Sequence, residues 1–203
     1  INVHSSILPK YRGAAPINWA ILNGESVTGV TIMYMAKELD AGDIILCRET
    51  AIDPDEDAQT LTTRLAELGA DALSQAVEQL KSGTAVRTPQ DHDAHTYAPM
   101  LDRSLSPMDF TRSARQLHDQ VRGLIPWPCA SMELDGKNVK IYRTAIGSET
   151  TLAAGKIAEA GKQGLAIACG DGRLLRILEL QAEGGKRMAA ADYLRGHPVQ
   201  VDV

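Results

Sequence analysis

The chain has 203 residues, of which 44% are hydrophobic and 23% are charged, which is the balance of an ordinary globular protein of one or two domains. Its start has no signal segment, no apolar run reaches membrane-spanning length, and three widely spaced cysteines argue against a disulfide framework or a zinc cluster. We therefore expect a cytoplasmic protein with no membrane partner and no bound metal. We also expect a monomer.

Charge is distributed unevenly along the chain. Residues 1–103 carry 8 Lys and Arg against 15 Asp and Glu, whereas residues 104–203 carry 13 against 11. A difference of this kind indicates different partners for the two halves, and a polyanion would suit the second. Two solvated surfaces of unequal charge would give the same numbers, so composition alone leaves both interpretations open.

The first residues place an amide and an imidazole two positions apart. Asn2 and His4 stand at the end of a short predicted strand, so their side chains point the same way. The loop that follows contains Pro9, Gly13 and Pro16, which places the pair at a sheet rim, where open sheets bind ligands. The pair is a candidate oxyanion donor and acid, although a structural Asn and His would show the same spacing.

Four elements are predicted in the rest of the first half. Residues 15–22 favour a helix, and the β-branched runs 28–35 and 43–52 favour two strands. A short polar loop with glycine joins the two strands, which indicates an antiparallel extension of a sheet. Leucine and alanine recur at helical spacing over residues 60–81, which predicts a packing helix.

The second half reads as a short helix followed by strands. Residues 88–107 are polar, contain three prolines and lack periodicity, so we interpret them as an interdomain linker. Thr111 is a candidate N-cap for a helix that ends at Gly123. Five short strands are predicted after it, at residues 130–134, 139–145, 155–158, 165–169 and 174–180. One helix and five short strands favour a small closed or partly closed β-barrel of the OB type.

Three motifs of the first half, taken together, are more specific than the Asn2 and His4 pair alone. The Asn2 and His4 pair, the run Arg12-Gly13-Ala14-Ala15-Pro16 and the loop Leu39-Asp40-Ala41-Gly42 resemble the folate-dependent formyltransferases. That family has an Asn and a His two apart, followed by an Asp in a Leu-Asp-x-Gly loop. The resemblance implies that Asn2, His4 and Asp40 are the catalytic residues.

The chemistry implied by the resemblance suits these residue types. An uncharged amine attacks the formyl carbon of 10-formyltetrahydrofolate, and an Asn amide and a protonated His can donate to the developing oxyanion. Asp40 would orient His4 and relay the proton of the amine through a water. No metal is required. The resemblance also implies a folate or substrate loop that includes Ser6, Leu8, Pro9, Arg12 and Gly13.

The second half resembles the members of this family that act on the initiator methionyl-tRNA. The similarity lies in residues 125–128, the predicted barrel, residues 181–188 and residues 192–196. It implies that exposed cations of the barrel contact tRNA phosphates. The candidates are Lys137, Lys140, Arg143, Lys156, Lys162, Arg173, Lys186 and Arg187.

The resemblance implies three parts. Residues 1–87 would be the C-terminal part of a doubly wound, Rossmann-like catalytic domain, residues 88–107 the linker, and residues 108–203 the OB-like barrel. The family carries further strands and helices before this Asn, which supply much of the folate pocket, so we expect these residues alone to be inactive. Two alternatives remain open, a formyltransferase acting on an amino sugar nucleotide and an inactive fragment that binds tRNA.

Overall fold

The computed structural model describes residues 1–202, which form two compact units that divide between Leu101 and Asp102. The first unit contains, in chain order, β1 (Asn2–His4), β2 (Arg12–Gly13), α1 (Pro16–Leu22), β3 (Val27–Met33), β4 (Ile44–Ala51), α2 (Ala58–Ser82) and β5 (Tyr97–Ala98). A single turn of 3-10 helix, His92–Ala94, precedes β5.

The main sheet of the first unit is antiparallel, with β3 between β1 and β4. In this register His4 lies opposite Thr31, and Thr31 lies opposite Cys47. The antiparallel extension predicted from the sequence is therefore confirmed. A second, smaller ladder joins β2 to β5 in parallel, so residues far apart in sequence close over the loop that follows His4.

Helix α2 covers one face of this sheet. Asp57 caps its start by accepting a hydrogen bond from the Thr60 N–H, and Gly83 ends it with a left-handed φ of 70°. Its buried face consists of Ala58, Leu61, Leu65, Gly69, Ala72 and Ala76. The predicted packing helix is thus confirmed. No helix within residues 1–202 is long and apolar enough to cross a bilayer.

The second unit begins with a 3-10 turn at Arg103–Leu105. It continues with α3 (Ala114–Gly123), β6 (Ala130–Leu134), β7 (Lys137–Glu149), β8 (Ile157–Gly161), β9 (Gly164–Ala168), β10 (Arg173–Ala182), β11 (Met188–Ala189) and α4 (Ala190–Gly196). All its ladders are antiparallel, in the order β6-β7-β10-β9-β8 with β11 on β10. Over residues 102–202 no ladder joins β6 to β8, so the sheet is open. The predicted fold class, part of a Rossmann-like α/β unit followed by a small OB-like β unit, is confirmed as a mixed α/β unit followed by a β unit, and of the closed and partly closed barrels that were expected the open ladder order excludes the closed one.

The cap of α3 differs from the prediction. Ser113, not Thr111, is the N-cap, and it forms a reciprocal capping box with Gln116. The Thr111 hydroxyl instead donates to Asp109 at 2.7 Å, and its N–H donates to the same carboxylate at 3.0 Å. The prediction of Thr111 was wrong because an aspartate two residues earlier holds this threonine in a turn.

The segment interpreted as a linker is divided between the two units. Thr88 exchanges main-chain hydrogen bonds with Ile44, and β5 pairs with β2, so residues 88–101 are integral to the first unit. Pro107 bridges to Ser131 in the second unit. The boundary between the units therefore lies inside residues 88–107, and most of this segment packs on the loop that follows His4.

Candidate functional site

Strand β1 fixes which way the candidate pair faces. Side chains alternate along a strand, and Val3 points toward α2, where one of its methyl groups would lie 3.2 Å from a Cβ placed on Gly69. Asn2 and His4 consequently face away from α2. His4 is only 6% exposed, so its imidazole lies inside the unit although β1 is at the edge of the sheet.

The imidazole of His4 is held by a main-chain carbonyl. Its Nε2 lies 2.8 Å from the Tyr11 carbonyl oxygen, and because a carbonyl can only accept, Nε2 carries the proton of this contact. Tyr11 has a φ of 62°, a left-handed conformation that costs a residue with a Cβ about 1–2 kcal/mol. That conformation turns the Tyr11 carbonyl toward His4, which is a placement typical of functional sites.

The strained conformation of Tyr11 is held at both ends of the residue. Its N–H donates to the Thr96 hydroxyl at 2.9 Å, and its own hydroxyl donates to Glu25 at 2.8 Å and accepts from Asn23 at 3.2 Å. Burial raises the pKa of the Tyr11 phenol, the Asn23 hydrogen bond lowers it, and Glu25 raises it again. The phenol therefore stays protonated at neutral pH and acts as a structural anchor.

Asp40 faces the other nitrogen of the ring. Its Oδ2 lies 3.6 Å from His4 Nδ1, which is close enough for an electrostatic contact but too long for a direct hydrogen bond. The same oxygen accepts the Gly13 N–H at 2.9 Å. Asp40 is the second residue of the site with a left-handed backbone, at φ 52°. Since Nε2 is committed to Tyr11, Nδ1 is the nitrogen through which His4 can act.

Asn2 completes the group that the sequence predicted. Its side chain is half-buried, and within residues 1–202 its amide has no hydrogen-bond partner. The amide can therefore donate to a ligand without breaking a hydrogen bond within the described residues. The structure thus brings His4 and Asp40 together and leaves Asn2 available on the same face of β1.

The residues predicted for the folate or substrate loop are mostly buried within it. The Ser6 hydroxyl donates to the Lys10 carbonyl at 2.6 Å, and the Leu8 N–H donates to the Thr31 hydroxyl at 3.2 Å. Thr31 in turn donates to the Ser6 carbonyl at 2.7 Å. Pro9 accepts the Thr96 N–H at 3.3 Å. The side chains of Ser6 and Leu8 shape the loop, and their part in ligand binding stays a prediction.

Arg12 and Gln90 form a buried contact beside Asp40. Arg12 is 3% exposed, and its Nε and Nη2 donate to Gln90 Oε1 at 3.1 and 2.7 Å. The Gln90 amide donates to the carbonyls of Asp40 and Gly42, both at 2.8 Å. No sequence pattern indicated a role for Gln90, Tyr11 or Thr96. Gln90 carries no charge or metal-ligand chemistry that would single it out in a polar stretch.

The predicted tRNA-contacting cations of the second unit are all exposed. Arg143 and Arg187 both pair with Glu179, and Lys156 pairs with Asp202 at 3.0 Å. Three others surround the turn at residues 182–184, where they line two grooves of about 310 and 480 Å³. These three are Lys137, Lys140 and Lys186. Within the described residues none of the three forms an ion pair, and the acids Glu183 and Asp192 line the same grooves.

A cluster of side chains that could bind a metal ion would be a further kind of site in the described residues. Within residues 1–202 no group of three or more His, Cys, Asp or Glu side chains is arranged to hold a metal ion. The site is defined by the contacts of His4 with Tyr11 and Asp40.

Two family models match the chain, one for each unit. The model described as "Formyl transferase" matches residues 1–77, and "Formyl transferase, C-terminal domain" matches residues 101–198. The chain belongs to the formyl transferase family. The resemblance drawn from the sequence is therefore confirmed in both units. Gln90 and Thr96 lie between the two matched ranges.

Several curated relatives are similar over nearly the whole chain. A methionyl-tRNA formyltransferase from Geobacter sulfurreducens is 47% identical over 196 residues, which is 97% of this chain and 61% of the relative. One from Acetivibrio thermocellus is 44% identical, with 98% of this chain and 64% of the relative covered. The chain thus spans about three fifths of the length of these relatives.

Solved structures share the fold at lower identity. HypX from Aquifex aeolicus, in complex with tetrahydrofolic acid, has a TM-score of 0.74 at 22% identity, covering 98% of this chain and 36% of that one. An N-formyltransferase from Helicobacter canadensis, in complex with folinic acid and dTDP-3-aminofucose, has a TM-score of 0.72 at 21% identity. The matched region covers 87% of this chain and 64% of the chain of the Helicobacter canadensis protein. At these identities the likeness extends to the fold alone.

Proposed function

We propose that the protein transfers a formyl group from 10-formyltetrahydrofolate to the amino group of methionyl initiator tRNA, in the cytoplasm. The observation that carries the proposal is the pairing of His4 with Asp40 beside an unpartnered Asn2 amide. It is supported by identities of 44–47% across both units to proteins named methionyl-tRNA formyltransferase. Asn2, His4 and Asp40 are the proposed catalytic residues.

The donors of the first unit fit the formyl end of the co-substrate. When bound, 10-formyltetrahydrofolate supplies an electrophilic formyl carbon whose oxygen gains negative charge as the amine adds. The Asn2 amide and the Nδ1–H of a protonated His4 can each donate to that oxygen. Because the Tyr11 carbonyl fixes Nε2 at 2.8 Å, the ring needs no reorientation during the reaction.

Asp40 is proposed to orient the imidazole and to receive a proton. Its Oδ2 is 3.6 Å from His4 Nδ1, which leaves room for a substrate atom or a water to engage both groups. The Gly13 N–H holds the carboxylate in place at 2.9 Å. A carboxylate held in this way can accept the proton that the attacking amine must lose, directly or through a water.

The second unit is proposed to contact the tRNA backbone. Phosphate contacts require exposed cations whose charge is not already neutralised by an acid. Lys137, Lys140, Lys162, Lys186 and Arg173 are exposed and form no ion pair within the described residues, whereas Arg143 and Arg187 share Glu179; of the five, Lys137, Lys140 and Lys186 lie around one turn. We therefore rank the three lysines first among the candidates.

The proposal is tested by assaying formyl transfer to methionyl-tRNA with the protein purified in its natural length. His4→Ala should reduce kcat by about 100-fold or more, the range in which positioned acids and bases contribute. tRNA binding should be retained, because His4 is buried in the first unit. His95→Ala is the matched control, since that ring packs against Tyr97 instead.

Three results would contradict the proposal in different ways. Unchanged turnover in His4→Ala would remove this histidine from the mechanism. Transfer to an amino sugar nucleotide in preference to methionyl-tRNA would replace the acceptor. Salt-dependent tRNA binding with no transfer by the natural protein would leave only a binding role.

A further inference from the structure

We propose that Gln90 is a positioning residue for this reaction, fixing the loop that carries Asp40 against the buried guanidinium of Arg12. The inference rests on the proposed function. Gln90 itself faces neither the Asn2 amide nor the ring of His4, and its contacts run instead to the two chain segments that bracket the site.

The amide of Gln90 uses its full hydrogen-bonding capacity. Its oxygen accepts from Arg12 Nε at 3.1 Å and Nη2 at 2.7 Å, and its nitrogen donates to the Asp40 and Gly42 carbonyls at 2.8 Å. A primary amide can offer two acceptor and two donor positions at one end. A carboxylate could not donate to the carbonyls, and an ammonium could not accept from Arg12. The residue is 5% exposed, so bulk water would not replace these hydrogen bonds if they were broken.

These hydrogen bonds form a closed cycle. Arg12 binds Gln90, Gln90 binds the main chain of Asp40, and the Asp40 carboxylate binds the N–H of Gly13, the residue after Arg12. The cycle thus locks both the backbone and the carboxylate of Asp40. The carboxylate is also the group of this cycle that faces His4 Nδ1.

The Asp40 backbone needs such a lock. Its φ of 52° is a left-handed conformation, which a residue with a side chain abandons unless its surroundings over-determine it. The Gln90 amide donates hydrogen bonds to the carbonyls of Asp40 and Gly42, on either side of Ala41. Without these two hydrogen bonds we expect the loop to change conformation and the Asp40 carboxylate to move away from His4 Nδ1.

Substitution at Gln90 can separate the two halves of the contact. Gln90→Glu keeps an acceptor for Arg12 but sets carboxylate oxygen against two carbonyl oxygens, whereas Gln90→Leu removes both halves. The charged or titratable side chains that face this position are Arg12, Asp40 and His92, whose Nδ1 lies 3.3 Å from Arg12 Nη2. If the hydrogen bonds from Gln90 to the Asp40 and Gly42 carbonyls are the ones that position Asp40, both variants lose activity to the same extent.

The first experiment measures kcat and KM for formyl transfer in the protein of natural length. We expect both variants to lower kcat about 10- to 100-fold, because displacing a reacting group by about 1 Å costs up to that factor. KM for the tRNA should stay within about three-fold, since the cations proposed for tRNA binding are in the other unit. Gln75→Glu is the matched control, because Gln75 also accepts from an arginine, Arg48, but is exposed. Wild-type kcat in Gln90→Glu, or a loss confined to KM, overturns the inference.

A second measurement does not depend on activity. In ¹⁵N-labelled protein without substrate, the imidazole resonances of His4 should move in Gln90→Glu, while those of His118 in the second unit should not. Unchanged His4 resonances would overturn the inference even if Gln90→Leu fails to fold. A shifted His4 signal in a protein whose wild type transfers no formyl group would reject the proposed function and leave the positioning role of Gln90 standing.

Discussion

The two units differ in the exposure of the polar side chains proposed to act in them, although both contain buried polar groups, such as Asp119 and Arg122 in the second. In the first unit, His4, Arg12 and Gln90 are 6%, 3% and 5% exposed, and each has named partners at hydrogen-bond distance. In the second unit the candidate cations are exposed on strands and turns. The difference fits the two proposed roles, since catalysis at one atom would need fixed geometry, whereas contact with phosphates would need accessible charge.

The largest effect on activity is expected at Asp40, whose carboxylate is held by the Gly13 N–H and faces His4. Asp40→Asn leaves an amide oxygen to accept the Gly13 N–H but removes the charge opposite His4. We expect kcat for formyl transfer to fall about 100-fold or more, with the melting temperature nearly unchanged. Asp43→Asn, which alters a half-exposed acid paired with Arg87, serves as the control and should keep normal kcat. Equal losses in the two variants would mean that the charge of Asp40 has no special role.

The next effect tests how closely the first unit is packed around the site. A Cβ at Gly13 would lie 2.8 Å from the Ala98 carbonyl oxygen, and Gly13 also has a φ of +115°. Gly13→Ala should lower the free energy of unfolding by about 1–3 kcal/mol, as measured by urea denaturation. Gly83 also has a left-handed φ, but a Cβ there would meet open space. The difference between the losses of unfolding free energy in Gly13→Ala and Gly83→Ala therefore measures the steric clash with Ala98. If the two costs are equal, the close approach of β5 contributes nothing.

A moderate effect is expected in the second unit, on affinity. Replacing Lys137, Lys140 and Lys186 by Gln should weaken tRNA binding and reduce the slope of log affinity against log salt by about one for each phosphate that is no longer bound. The kcat at saturating tRNA should be retained. Lys81→Gln, on α2 of the first unit, is the control for removal of a surface cation. An unchanged salt slope in the triple variant would show that these lysines do not face the tRNA.

The smallest effect concerns stability and pH. Asp202 accepts the Ile157 N–H at 2.8 Å and the Lys156 ammonium at 3.0 Å, and these contacts, the backbone one first, lower its pKa. A lowered folded-state pKa stabilises the fold above the ordinary Asp value of about 3.9, and that contribution is lost as pH falls through the folded value. Asp202→Asn should therefore lower the melting temperature at pH 6, with the difference from wild type shrinking toward pH 3. A difference that does not depend on pH would mean that the carboxylate charge is not involved.

The elements that sequence predicts well are those with a local cause. The spacing of leucines placed α2 to within two residues of Ala58–Ser82, because a buried helix face repeats with the helical period. The cap of α3 was misassigned to Thr111 for an equally local reason, since Asp109 competes for that hydroxyl. Cap chemistry is a choice between neighbouring polar groups, which periodicity cannot resolve.

By itself, the sequence determined the family, the order of the longer elements and the identity of Asn2, His4 and Asp40 as the residues to consider, whereas β2, β5, β11 and α4 were not predicted. Residue type carries that information, since few side chains can donate to an oxyanion or accept a proton. Only the tertiary structure decided that the Tyr11 carbonyl holds His4 Nε2 and that Gln90 and Thr96 hold the surrounding loops. A main-chain carbonyl is the same in every residue, and its direction depends on φ and on contacts with residues up to 85 positions away, so no local pattern can reveal it.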